Sequence, residues 1–212
     1  MAHALILGIS ESGKTTLALR LASQYKAQGV GVLVLDPLKN PEWHADFITG
    51  DEKEFLDMFW RSRSCMCFID EAGEAVGRYN IAMQKTVTRG RHWGHGVHVI
   101  TQRGAQLSPT VRDQCRHLFL FCSSRKDGEL LAAEWNKPEL AECSVLKQGE
   151  YMHASRFGVL NRSQLWRTEN ETASDRGRRD IDGAGTDPEP EKESAGRATS
   201  GTASGTASES AD

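Results

Sequence analysis

The segment Gly8-Ile9-Ser10-Glu11-Ser12-Gly13-Lys14-Thr15 satisfies G-x-x-x-x-G-K-[S/T] at every fixed position. It narrows the fold more than any other stretch because of what flanks it. Ahead of it lies Ala4–Ile9 (ALILGI), a short apolar run with the character of a buried strand. Behind it, Lys14 to Ala27 is predicted helical, with Leu17, Leu21 and Tyr25 recurring at spacing four. A chain that passes from a strand through such a loop into a helix turns its backbone N–H groups inward. Those donors and the helix N-terminus present partial positive charge to phosphate oxygens. Lys14 has the reach for β- and γ-phosphates, and the Thr15 hydroxyl can ligate Mg²⁺. The expected nucleotide-contacting set is Gly8, Ser10, Glu11, Ser12, Gly13, Lys14, Thr15 and Thr16. Ser12 stands where such loops often carry glycine, but the motif leaves that position free.

The same alternation of apolar runs and helical patterns continues. Val30–Leu35, Cys65–Ile69, Gly96–Thr101 and His117–Phe121 read as further strands. Asp51–Arg61, Gly73 to about Arg89, and Asp127–Trp135 read as helices. Tyr151–His153 and Arg156–Val159 are expected to form a closing hairpin. The strands are apolar throughout rather than alternating, as in a sheet covered on both faces. The expected class is α/β, with a central, largely parallel sheet flanked by helices.

Two strand ends carry the remaining chemistry. Cys65-Met66-Cys67-Phe68-Ile69 closes on Asp70-Glu71. Ligands of open parallel sheets sit beyond the carboxyl ends of the strands. Asp70 is therefore the expected Mg²⁺ ligand together with Thr15, and Glu71 the base that deprotonates the attacking water. The fourth strand ends in Thr101-Gln102-Arg103, where Gln102 is suited to sense a γ-phosphate through that water.

Between these strands, Thr88-Arg89-Gly90-Arg91-His92-Trp93-Gly94-His95-Gly96 offers guanidinium groups for developing phosphoryl charge. Arg91 is the first candidate, Arg89 the second and Arg112 a weaker third. A surface or structural ion pair is the competing role for each. His92, His95 and His98 have the residue type for metal ligation. No cysteine or carboxylate completes a set, however, and strand alternation points neighbours apart.

Composition separates two regions. Residues 168–212 contain no aromatic residue and one large aliphatic, Ile181, too little apolar surface to offset the entropy of ordering. They are expected to be a disordered, low-complexity acidic tail after an ATPase domain at 1–167. Of the 26 basic and 29 acidic residues in the chain, 5 and 11 lie in this tail. The remaining 21 and 18 give the first 167 residues a net charge of +3. A weakly basic body permits nucleic-acid contact without demanding it. The five cysteines are odd in number and contain no C-x-x-C pair, which fits small core residues in a reducing compartment. No apolar run approaches the roughly 20 residues of a membrane span, so an integral membrane protein is not expected. The N-terminus lacks a signal-peptide pattern. A soluble protein inside the cell is expected.

Taken together, GISESGKT, CMCFIDE, RGRHWGHGVHVITQR and SPTVRDQCRHLFLF resemble the FtsK–HerA superfamily of DNA-pumping ATPases, most closely the small genome-packaging ATPases of viruses. The resemblance covers roughly residues 3–160. It implies a RecA-like core with strand order 5-1-4-3-2, assembled as a homo-hexameric ring. It implies ATP and Mg²⁺ at a site built by Lys14, Thr15, Asp70, Glu71 and Gln102, completed by a neighbour's Arg91 or Arg89. Double-stranded DNA, held without regard to sequence, is the implied partner, with capsid or membrane vertex proteins beside it. The implied location is the host cytoplasm and the packaging vertex. Arg103, Arg125 and Lys126 are candidates for dragging DNA by its phosphates. No transmembrane segment, nuclease domain or winged-helix module of the kind other superfamily members carry is found in the sequence. The alternatives are a small P-loop kinase, which needs a lid that this chain has little room for, and an ATP-switched DNA-binding or partition protein. A degenerate, non-hydrolysing site is argued against by the intact Lys14, Asp70 and Glu71.

Overall fold

The computed structural model describes residues 1–76 and 80–166. The expected acidic tail lies outside the described residues. In chain order the elements are β1 (Ala4–Leu7), α1 (Lys14–Ala27), β2 (Val32–Leu35), β3 (Phe47–Thr49), α2 (Glu52–Arg61), β4 (Met66–Ile69), α3 (Ala72–Ala75) and α4 (Ile81–Arg89). They continue with β5 (Gly96–Thr101), α5 (Pro109–Gln114), β6 (His117–Phe121), α6 (Arg125–Trp135), β7 (Glu150–Ser155) and β8 (Leu160–Gln164).

The eight strands form one sheet in the order β3-β2-β4-β5-β1-β6-β7-β8. Pairing is parallel from β3 to β6 and antiparallel across β6-β7-β8. Counted over the five strands legible in sequence, the middle of the sheet has the order 5-1-4-3-2. Every residue of β1, β2, β4 and β5 is buried. Alternate side chains feed two separate cores. Leu5, Leu7, Leu33, Leu35, Cys67, Ile69, Val97 and Val99 pack with Phe55, Phe59, Met83 and Leu131. Ile6, Val32, Val34, Met66, Phe68 and Ile100 pack with Leu17, Ala18 and Ala22 of α1. Helices thus cover both faces, which is why these strands carry no polar alternation.

Four features depart from expectation. The helix anticipated over Gly73–Arg89 is two helices. α4 starts afresh at its own cap, where the Asn80 side chain accepts the Met83 N–H at 3.2 Å. The second arm of the hairpin is Leu160–Gln164 rather than Arg156–Val159, because residues 156–159 form the turn. α6 begins two residues earlier than read, capped by Ser124 accepting from Asp127 N. β3 has no sequence signature: three residues long, it is held parallel to β2 at the sheet edge.

Candidate functional site

The loop from Gly8 to Gly13 is tied to its surroundings at both ends. Gly8 N donates to Thr101 O at 3.4 Å and Ile9 N to Cys122 O at 2.8 Å, tying the loop to the ends of β5 and β6. Gly13 takes φ 115°, a conformation that L side chains rarely adopt, immediately before α1. A Cβ at Gly8 would stand 2.6 Å from Phe121 Cβ and from Ser12 Oγ, so the strand-to-loop exit admits only glycine. The Ser12 hydroxyl is buried and has no hydrogen-bond partner among the described residues. Lys14 Nζ donates to Ile9 O across the loop at 2.8 Å. Burial depresses the Lys14 ammonium below its ordinary range, against the opposing pull of Asp70 and Glu71.

That mutual influence locates the carboxylates. Asp70 follows β4, and its N–H donates to Leu35 O at 2.9 Å. Its Oδ1 accepts the Glu71 N–H at 2.8 Å. Burial pushes the Asp70 carboxyl up to about 6, and the negative charges of Asp36 and Glu71 add to the rise. The Glu71 N–H and Lys14 work in the other direction. Glu71 is exposed and sits in the left-handed region at φ 49°. For a non-glycine residue this conformation is costly, and such strain concentrates at functional sites.

Gln102 is brought to the same edge by packing that no motif reveals. A Cβ on Gly73 would lie 2.5 Å from Gln106 Oε1 and 3.2 Å from Thr101 Oγ1. The start of α3 therefore rests directly on the turn after β5. Gln102 is exposed and lines a cavity of about 370 Å³ with Ile9, Ser10, Arg103, Ser124 and Asp127. Asp127 is buried, accepts from Ser124 Oγ at 2.6 Å and lies 3.9 Å from Arg103 Nε. Arg103, read from sequence as a DNA contact, thus opens onto the loop's own cavity. Arg125 pairs with Glu129 one turn along α6.

The arginines go elsewhere. Arg91 lines a cavity of about 520 Å³ with Met1, His3, Arg116 and Arg156, where the strands begin rather than where they end. Arg89 lies in a groove with Trp60, Lys85 and Trp93. Neither shares the loop edge of its own chain. Arg112 is 4% exposed, and its guanidinium is consumed by Glu134, Gly104 O and Leu107 O. It is a structural ion pair and not a mobile third candidate. His95 accepts from Cys65 N through Nδ1 at 3.1 Å and meets Phe59 O through Nε2 at 3.0 Å. His98 stacks on Phe68, and burial pushes its pKa down to about 3. Both are neutral core histidines.

The fold and the loop together define the class: a P-loop ATPase fold, with a mostly parallel sheet between helices. No protein-family model and no curated protein matches the sequence. Solved structures do match in fold. The genome packaging NTPase B204 from Sulfolobus turreted icosahedral virus 2, in complex with AMPPCP, aligns with TM-score 0.67 and 17% identity. The alignment covers 77% of this chain and 96% of that one. VirB4 of Thermoanaerobacter pseudethanolicus aligns with TM-score 0.60 and 12% identity over 80% and 90% of the two chains. The pCW3 conjugation coupling protein TcpA, a monomer form with ATPγS, gives 0.59 and 12% over 81% and 62%. At these identities the likeness is one of fold alone.

The raised Asp70 pKa carries an expected result. A carboxyl whose pKa is higher in the folded state binds protons more readily there than in the unfolded chain. Its contribution to stability therefore falls as pH rises from about 4 to about 6, and at neutral pH it is a net cost. Asp70→Asn keeps the acceptor for the Glu71 N–H and removes the charge. It is expected to stabilise the nucleotide-free protein by ~1–2 kcal/mol at pH 7.5, after discounting for solvent screening, and by almost nothing at pH 4. Urea melts at the two pH values test this. A variant less stable than the parent at pH 7.5 would refute it.

Proposed function

We propose that the protein is an ATP-hydrolysing DNA translocase, of the kind that packages a viral genome. The observation carrying this reading is the convergence of the Gly8–Lys14 loop, Asp70 and Gln102 on one edge of the sheet. The first two feel each other electrostatically, and the third shares a cavity with Ile9 and Ser10. In this reading the loop amides and Lys14 hold the β- and γ-phosphates, Glu71 takes the proton of the attacking water, and Gln102 orients that water. The Asp70 carboxyl, buried and under the negative charge of Asp36 and Glu71, is a group whose charged form a divalent cation would favour. Mg²⁺ entering with ATP would be held by Thr15 and Asp70 and would neutralise phosphate charge.

A ring supplies what one chain lacks. Arg91 and Arg89 stand away from their own loop, so either serves a nucleotide only across a subunit boundary. The DNA assignment draws on the likeness in fold to proteins named for genome packaging and conjugation, and on the net +3 of the first 167 residues. An ATP-driven DNA transporter of another kind would use the same edge.

Turnover measured with and without duplex DNA separates this reading from its rivals. ATP hydrolysis is expected to rise several-fold with duplex DNA of any sequence. The stimulation is expected to fade between about 50 and 200 mM salt as counterions compete for the phosphates. Transfer of phosphate to a small acceptor, or turnover indifferent to DNA, would defeat the proposal.

A further inference from the structure

The loop is buttressed on its far side by residues that no motif contains. Gln148 Nε2 donates to Glu11 O at 3.0 Å, and Gly149 N donates to Ser12 O at 3.0 Å. Leu165 N in turn donates to Gly149 O at 2.9 Å, while Arg20 Nη1 of α1 donates to Leu165 O at 2.5 Å. A Cβ on Gly13 would stand 2.7 Å from Leu165 Cδ1, and one on Gly149 would stand 2.6 Å from Cε2 and Cζ2 of the Trp166 indole. Gly149 has φ 82°, so glycine is required there twice over, for conformation and for space. The turn before β7 and the segment after β8 thus deliver an indole, 37% exposed, to the shoulder of the loop.

Strand order says which shoulder it is. The sheet runs β4-β5-β1-β6-β7-β8. Asp70 and Gln102, which mark the γ-phosphate end in the proposed function, follow β4 and β5 on one side of the β1 loop. A triphosphate laid along the loop with its γ-phosphate toward β4 and β5 sends its nucleoside the other way, toward β6, β7 and β8. Trp166 and the 148–149 turn stand on that side. An exposed indole offers a flat apolar face, and stacking on aromatic faces is how proteins hold nucleobases without demanding a particular hydrogen-bond pattern.

We propose that the 148–149 turn and Leu165–Trp166 form the nucleoside subsite of this loop, with the Trp166 indole as the surface on which a purine base stacks. The proposal rests on the reading of the loop as a nucleotide site, and the experiment keeps the two apart. Dissociation constants of the full chain are measured by calorimetry for ATP, ADP and inorganic tripolyphosphate, the last having phosphates but no base. The same measurements are made on Trp166→Ala, Trp166→Phe and Lys14→Ala. Trp166→Ala is expected to weaken ATP and ADP by about tenfold, within the range for loss of one stacked base, and to leave tripolyphosphate unchanged. Trp166→Phe is expected to stay within about threefold of the parent. Lys14→Ala is expected to weaken all three.

If Trp166→Ala leaves ATP affinity unaltered, or weakens ATP and tripolyphosphate alike, the base-stacking role is overturned. Lys14→Ala would still report on the phosphate site. If the parent protein binds none of the three, the nucleotide reading and this proposal fall together.

Discussion

Glu71→Gln is expected to lower ATP hydrolysis by at least about a hundredfold while leaving ATP affinity within about threefold of the parent. A positioned general base contributes roughly 10²–10⁴ to such a step. Glutamine keeps the shape and the hydrogen-bonding reach of the side chain but cannot take a proton. The structure isolates this effect. The Glu71 side chain is exposed, and its backbone N–H bond to Asp70 survives the exchange. Phosphate release measured alongside equilibrium binding of nucleotide tests the point. Equal hydrolysis by the variant would remove Glu71 from the chemistry. A parallel loss of binding would make it a binding residue instead.

Arg112→Ala is expected to destabilise the protein by about 3–5 kcal/mol. Removing the guanidinium leaves the Glu134 carboxylate without its partner, and Gly104 O and Leu107 O lose a buried donor. The damage spreads, because Arg156 Nη2 donates to Arg112 O at 3.1 Å while its guanidinium lies 4.4 Å from the Trp135 ring centroid. Against a total stability of about 5–15 kcal/mol this leaves a marginal protein. Urea unfolding gives the number. The double variant Arg112→Met with Glu134→Met is expected to recover part of the loss, since a paired charge removed with its partner strands nothing. A loss under about 1 kcal/mol for Arg112→Ala would mean that the network is dispensable. The network also closes the turn behind Gln102, so hydrolysis in surviving Arg112 variants is expected to fall with stability.

Legibility varied with how local the signal was. The motif is eight contiguous residues running into a helix whose apolar residues recur, so strand, loop and helix are legible together. β4 and β5 were readable because an all-apolar run ending in polar residues is what a strand buried on both faces looks like at its ligand edge. β3 could not be read. It has three residues with an exposed Ile48 in the middle, and it exists because the adjacent edge of β2 accepts its backbone. The first arm of the closing hairpin is legible, and the second is not. Leu160–Gln164 (LNRSQ) carries no apolar alternation, and its register is set by pairing with β7 rather than by its own side chains. Arg112 shows the reverse hazard: an arginine near a conspicuous motif invites a catalytic reading until its hydrogen bonds are seen.

What the chain determined unaided was chemistry that neighbours in sequence can carry out: a glycine-bounded anion cradle, and acids and an amide placed at the ends of strands. The tertiary structure decided which of these ends stand side by side. Parallel strands bring residues 8, 70 and 102 to one edge only if β1 lies beside β5 and β5 beside β4, and no short stretch encodes that order. The packing of Trp166 on Gly149, and of Gly149 on Ser12, belongs to the same category. Its partners are more than 130 residues apart from the loop along the chain. Contacts of that separation come from the sum of core burial over the whole sheet, so they leave no periodicity in the sequence to be read.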